Sequence, residues 1–305
     1  MSEVFSYSKL DTYNQCGFKY KLRYVDGHYV SGSSIATEFG TAIHEIEEAI
    51  ANSIKANEPI NYVALKNKFM LDCVKLQAKY PQDFQTLDKS NRTYFDKMYY
   101  YLNTGIFRLE AFMKEHPTYQ IVGAEVAFNF AIDEEHGFKG FIDRLLFDTA
   151  TNSYIVHDIK SYAIPVESSK LATPLQFVVY TLAVQNLFGC NPEQVSCAYD
   201  LPLCSLLQSA GTKGYMDRGL KKIQKLFDSI KCKDFAPAPT PLCAWCEFSP
   251  TNPNQPAAGK NLCPYYSLWT KENKTNKVAM HWEGLEAHDE VMAEYMATVG
   301  AYYEK

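Results

Sequence analysis

With 305 residues, 47% of them hydrophobic, the chain is long enough to bury a sizeable core, and one elaborated domain is expected rather than two independent ones. A formal net charge of -5 excludes polyanion binding by an evenly basic surface and leaves that task to local patches of lysine and arginine. No signal peptide or membrane-spanning run is apparent, so the nine cysteines point to a reducing cytoplasm and away from a disulfide framework.

The first cysteine, Cys16, stands in Y-S-K-L-D-T-Y-N-Q-C-G-F-K-Y, and Lys19, Lys21 and Arg23 then interleave with Tyr20 and Tyr24. Such mixing suits a groove for single-stranded DNA, where bases stack and phosphates are neutralised; the same tyrosines would equally serve a core. Helices are expected near Glu38 to Ala56, Tyr62 to Tyr80 and Asn91 to Glu115. In the first, Phe39, Ile43, Ile46 and Ile50 form the buried stripe, and His44 falls at its edge, where a histidine is more often structural than a ligand.

Strands dominate from Tyr119 to Tyr162 and contain G-F-I-D-R at Gly140 to Arg144 and H-D-I-K at His157 to Lys160. The two-residue period puts Phe141, Asp143 and Leu145 on one face and Ile142, Arg144 and Leu146 on the other. By the same rule Tyr154, Val156, Asp158 and Lys160 share a face, opposite Ile155, His157 and Ile159. Thr149 to Ser153, with Asn152 in the middle, are turn formers, so the strands are expected to pair antiparallel and bring Asp143 and Asp158 within reach of one ion. Two carboxylates so placed repel unless one keeps its proton or a cation lies between them. A hard divalent ion, magnesium or manganese, is the usual solution. Lys160 would orient an attacking water and offset charge developing on a phosphorane, which makes the set a phosphodiester-cleaving centre. The competing reading pairs Asp143 with an arginine and leaves Asp158 and Lys160 as a structural ion pair at a strand end.

After Pro174, P-L-Q-F-V-V-Y-T-L-A-V-Q opens a helix with Gln176 and Tyr180 one turn apart on the same face. A strand near Gln194 to Leu203 and a helix near Tyr215 to Lys231 follow; in the helix Arg218, Lys221, Lys222 and Lys225 recur at helical spacing, as a DNA-binding patch or an ordinary solvated face. Pro237, Pro239 and Pro241 lead into L-C-A-W-C, with Cys243 and Cys246, and a Pro/Asn-rich loop separates these from Cys263. C-x-x-C with two further cysteines is, on spacing, compatible with tetrahedral zinc. Cys73, Cys190, Cys197, Cys204 and Cys232 are expected to be small core residues. Gly284 to Tyr303 reads as an amphipathic helix that packs on the core or mediates self-association. No G-x-x-x-x-G-K-[ST] occurs, so any unwinding falls to a partner.

Taken in order, G-x-x-x-H-E at Gly40 to Glu45, E-V-A-F at Glu125 to Phe128, G-F-I-D-R, D-I-K and Q-x-x-x-Y resemble the RecB-like branch of the PD-(D/E)xK nuclease superfamily, over about Ser6 to Tyr266. The resemblance implies an α/β fold, a mixed central sheet flanked by helices with a helical insertion, and a magnesium- or manganese-dependent DNA nuclease. It implies that His44, Asp143, Asp158 and the main-chain carbonyl of Ile159 hold the ion and that Lys160 is the catalytic lysine. Gln176 and Tyr180 would support the site and contact DNA, and Glu125 would stand behind the ligands. One early and three late cysteines resemble the iron-sulfur subset of these enzymes, AddB-like and CRISPR-adaptation exonuclease-like, which implies a structural [4Fe-4S] cluster on Cys16, Cys243, Cys246 and Cys263, with zinc as the alternative. This chain departs from that pattern in a longer gap from Cys246 to Cys263, in Gly17 where proline usually follows the first cysteine, in Asp158 where many members carry glutamate, and in Ser161 for the usual threonine.

The implied segments are 1–30 with the first cluster cysteine, 31–118 helical, 119–235 the nuclease core, 236–270 the cysteine-rich region and 271–305 a terminal helix. The expected protein is a cytoplasmic exonuclease, bacterial, archaeal or viral, acting on DNA ends or single-stranded DNA in recombination, repair or replication beside a helicase or recombination partner, with no membrane. The alternatives are an end-binding accessory subunit with a silent centre and a structure-specific endonuclease.

Overall fold

In a computed structural model of the chain, the residues described are 3–28, 33–209, 211, 214–249, 252 and 262–265. The expected helix at Gly284 to Tyr303 lies outside them. Expected as one domain, the chain groups into two compact units: residues 1–10 with 33–227, and residues 11–32 with 228–305.

The fold is a mixed α/β one, a central sheet flanked by helices. Its strands are β1 (Glu3–Phe5), β2 (Tyr119–Ala131), β3 (His136–Asp148), β4 (Ser153–Ile159), β5 (Val195–Leu201) and β6 (Leu206–Ser209). They run in the order β1-β3-β4-β5-β6, with β2 also paired to β3. β2, β3 and β4 pair antiparallel in sequence, and β5 returns parallel to β4. The turn expected between β3 and β4 is present, with Asn152 at φ 53, a left-handed conformation that asparagine tolerates. The β3–β4 ladder runs from Asp148↔Ser153 to Arg144↔His157 and stops there. On its other end β3 pairs with β1 only up to Phe138. Among the described strands, residues 139–142 of β3 are therefore paired with β2 alone, and the sheet forks where Asp143 stands.

The helices are α1 (Tyr7–Gln15), α2 (Gly17–Tyr20), α3 (Ile35–Lys55), α4 (Tyr62–Lys79), α5 (Pro81–Gln85), α6 (Tyr94–Asn103), α7 (Arg108–Glu115), α8 (Ser168–Leu171), α9 (Leu175–Phe188) and α10 (Tyr215–Lys231). Local chemistry sets their ends. Ser34 caps α3 by accepting the Thr37 N–H, Asn61 caps α4 in the same way, and Thr93 with Asp96 closes a capping box on α6. Gly189, at φ 67, ends α9 in the left-handed conformation that glycine adopts without strain. The single helix expected over Asn91 to Glu115 is broken. Gly105 lies so close to the Pro202 carbonyl that an added Cβ would come within 2.5 Å of its oxygen, and a 3-10 turn there separates α6 from α7.

Phe39, Ile43, Ile46 and Ile50 of α3 pack with Phe69 and Leu76 of α4, Leu109 of α7, and Leu146 and Ile159 of the sheet. α9 is buried through Phe177, Val178, Ala183 and Val184, and Gly219 of α10 sits directly against Val178. The segment Ser168–Phe188 meets the length and composition of a membrane span; the burial of α9 marks it as the core helix of a folded unit, which passes the same test. Cys73 and Cys197 are buried as expected, whereas Cys190 and Cys204 are half-buried and Cys232 is exposed just past α10, so the core role does not extend to it.

Candidate metal centre

Four elements deliver the residues of the fork. α3 carries His44, which its neighbour Ile43 fixes by being wholly buried. Gly40, one turn earlier, explains the first residue of G-x-x-x-H: a Cβ there would lie 3.1 Å from the Ser161 hydroxyl, so glycine lets the helix close on the segment after β4. The His44 Nε2 lies 2.9 Å from the Ile159 carbonyl, and the Asp143 Oδ2 accepts the Ile159 N–H at 2.7 Å. Asp143 and Asp158 each stand one residue beyond the last ladder pair, Arg144↔His157. A side chain, in place of a backbone bond, bridges the opening strands.

Ligand atoms of His44, Glu125 and Asp143 all lie within 4.8 Å of one another. Glu125, expected behind the ligands, thus stands among them. Its backbone explains how: φ is 47 in mid-strand, opposite Asp143, a conformation that costs a non-glycine residue about 1–3 kcal/mol and is found where function holds it. Burial, and then Asp143, raise the Glu125 carboxyl above its ordinary range, with His44 opposing. Three groups that include two mutually repelling acids make a cradle suited to a cation.

Asp158, expected among the ligands, is 0% exposed and engaged differently. Its Oδ2 is paired with Lys160 Nζ at 2.7 Å, and its Oδ1 accepts the Tyr180 hydroxyl at 3.2 Å. Gln176 Nε2 in turn donates to the Tyr180 oxygen at 2.9 Å, so the Q-x-x-x-Y turn of α9 is the support of this acid. Burial, with Asp143 assisting and Lys160 opposing, pushes Asp158 up to about 6. Burial works against the charge of Lys160, but Asp158 and Asp143 outweigh it and hold its pKa above the ordinary lysine value. The ion pair foreseen in the competing reading is therefore real, but it sits beside the metal cradle. Asp143 has no arginine partner among the described residues.

Arg144 points elsewhere. At 1% side-chain exposure it binds Glu47 of α3 at 2.7 Å and Asp200 of β5 at 2.8 Å, while Arg108 holds the second Asp200 oxygen at 2.9 Å and Tyr101 donates to Glu47. The Asp200 carbonyl also accepts the Lys160 N–H at 2.9 Å. This buried network ties α3, β3 and β5 together immediately behind His44, Asp143 and Lys160. Sequence reasoning missed it, although a signal existed: Glu47 lies on the stripe of Ile43 and Ile50, and Arg144 on the face of Ile142 and Leu146, two charges on apolar faces that need each other.

A second constellation lies within the unit of residues 11–32 and 228–305. Cys16, Cys243, Cys246 and Cys263 line one cavity of about 360 Å³ with Phe18, Leu242 and Trp245. Each sulfur receives a main-chain N–H: Cys16 from Lys19 at 3.5 Å and Ala238 at 3.4 Å, Cys243 from Thr240 at 3.3 Å, Cys246 from Phe248 and Cys263 from Tyr265. Burial, with the three other sulfurs adding to it, pushes the Cys263 thiol up to about 12. Nearby, the basic and aromatic run expected to face DNA is largely spoken for: Tyr20 is buried, Lys21 pairs with Asp26 at 2.7 Å and Arg23 with Glu247 at 3.4 Å, and Lys19 and Tyr24 are half-buried. On α10, by contrast, Arg218, Lys221, Lys222 and Lys225 are exposed, and Arg218 also bonds the Thr173 hydroxyl at 3.3 Å just before α9.

The fork thus joins a candidate cation site of two acids and a histidine to a neighbouring Lys160–Asp158 pair on a mixed sheet. The chain belongs to the PD-(D/E)XK nuclease superfamily, whose model matches residues 4–251. No curated protein matches it. Among solved structures it is similar to one titled "Putative exonuclease" from Eubacterium rectale, at 14% identity and a TM-score of 0.44, over 80% of this chain and 87% of that one.

Proposed function

We propose that this protein is a magnesium- or manganese-dependent DNA exonuclease, acting in the cytoplasm on DNA ends or single strands during recombination, repair or replication, with unwinding supplied by a helicase or recombination partner. The observation that carries the reading is the convergence of His44, Glu125 and Asp143 within 4.8 Å beside the Asp158–Lys160 pair. These three side chains would hold the ion, with Asp158 and the Ile159 carbonyl adjoining. When bound, the ion supplies Lewis-acid chemistry at the scissile phosphate. Lys160 holds the attacking water and offsets charge on the phosphorane; Asp158 keeps its ammonium in place; Tyr180 and Gln176 keep Asp158 in place. The exposed cations of α10 neutralise phosphates of the strand. In magnesium, end-labelled linear DNA should be degraded and closed circles left intact. Cutting of circles would make the protein a structure-specific endonuclease, and no cutting of either would leave an end-binding subunit.

The same reading places a structural [4Fe-4S] cluster on Cys16, Cys243, Cys246 and Cys263. Main-chain N–H groups aimed at all four sulfurs support thiolate ligation. Anaerobically purified protein should be brown, with stoichiometric iron and sulfide; colourless protein carrying one zinc per chain would reject the cluster.

A further inference from the structure

β3 carries an unexplained aromatic at the fork. Phe141 is 58% exposed, two residues before Asp143, on a strand held rigidly on its β2 side through Val126↔Ile142 and Phe128↔Gly140. Its cross-strand neighbour is Ala127, too short to cover the ring, and β4 has already parted from β3 at this level. Two residues further out stands Lys139, exposed and without a carboxylate partner among the described residues. On the other arm of the fork, Tyr162 is 49% exposed, two residues after Lys160 and close enough for its hydroxyl to act electrostatically on that ammonium. Neither ring stacks on another ring among the described residues. Phe141 and Tyr162 thus offer uncovered aromatic faces on either side of the cradle, with a cation at Lys139.

Resting on the nuclease reading above, the geometry points to a base-stacking ledge, Phe141 on one arm and Tyr162 on the other, that receives unpaired bases of a single DNA strand while Lys139 meets its phosphate. A ring beside a cation matches a nucleotide, which offers a flat π-face and an anionic backbone. The faces of paired bases in a duplex interior are already covered by their neighbours, so the ledge selects single strands or frayed ends.

The test is binding of a short fluorescein-labelled single strand and of the blunt duplex of the same sequence, with calcium replacing magnesium to suppress cleavage, by anisotropy. Phe141→Ala should weaken single-strand binding about 5- to 100-fold, Phe141→Trp should retain it, and duplex binding should change by less than about twofold. A 2-aminopurine base in the strand should be quenched by the wild-type protein and much less by Phe141→Ala, a signature that a merely structural role would not give. Equal single-strand binding by Phe141→Ala, equal loss on both DNAs, or loss of self-association in sedimentation without loss of DNA would overturn the ledge. Cleavage by the wild type is followed in parallel in magnesium. Intact cleavage with Phe141-independent binding rejects the ledge alone, while Phe141-dependent binding with no cleavage rejects the nuclease reading instead.

Discussion

Lys160→Ala should lower the rate of DNA cleavage in magnesium about 10²- to 10³-fold, the size of effect that follows removal of one group aimed at developing charge. Asp143→Asn should remove cleavage altogether, because it takes charge from the cradle and alters the group that anchors Ile159. Both variants should stay folded, and the reason is electrostatic. Without Lys160 the Asp158 carboxylate would be buried beside Asp143 with its main counter-charge gone, and it would then take up a proton. Burial already holds Asp158 above the ordinary carboxylate range, so taking up that proton near neutral pH is a small perturbation. Lys160→Arg should not restore activity, because a planar guanidinium does not reproduce a compact ammonium in a site 26% exposed. Single-turnover rates on labelled DNA, with circular dichroism melts of the same preparations, measure both halves; undiminished cutting by purified Lys160→Ala or Asp143→Asn would refute the assignment.

Arg144→Met should be the most destabilising single change in the sheet, costing about 3–5 kcal/mol, because it strands Glu47 and one Asp200 oxygen in a dry interior. The melting temperature of the larger unit should fall by on the order of 10 °C. Adding Glu47→Gln and Asp200→Asn should recover part of that loss, since neutral groups of the same shape need no counter-charge. Denaturant unfolding of the single and triple variants reads this directly, and an Arg144→Met midpoint unchanged from wild type would show the network to be energetically idle. The network matters to chemistry because Glu47 lies one turn from His44, Arg144 follows Asp143 directly, and the Asp200 carbonyl holds the Lys160 amide.

Much of this was legible in the sequence for identifiable reasons. A turn centred on Asn152 was enough to foresee the antiparallel β3–β4 pairing that ends beside Asp143 and Asp158, and the apolar stripe of α3 was enough to bring His44 to its edge. α10 was found at its observed ends, Tyr215 and Lys231. The part that escaped depends on backbone conformations and long-range partners that periodicity does not encode. Glu125 reaches the ligand group only because its φ is positive in mid-strand, where a regular strand reading would set it aside. The contacts of Asp158 with Lys160 and Tyr180 likewise depend on partners that periodicity does not place. The break at Gly105 comes from the Pro202 carbonyl, distant in sequence, and in the Lys19 to Tyr24 run Tyr20 is buried while Lys21 and Arg23 pair with Asp26 and Glu247.

The most direct measurement is a manganese titration followed by electron paramagnetic resonance, on wild type, His44→Ala, Glu125→Gln and Asp143→Asn, with and without a non-hydrolysable single strand. The wild type should bind manganese in the cradle more tightly when the strand is present, since such ions take substrate phosphate as ligand, and each variant should bind at least about tenfold more weakly. Manganese binding that is the same in all four proteins, or absent from the wild type even with the strand, would contradict a metal centre at the fork.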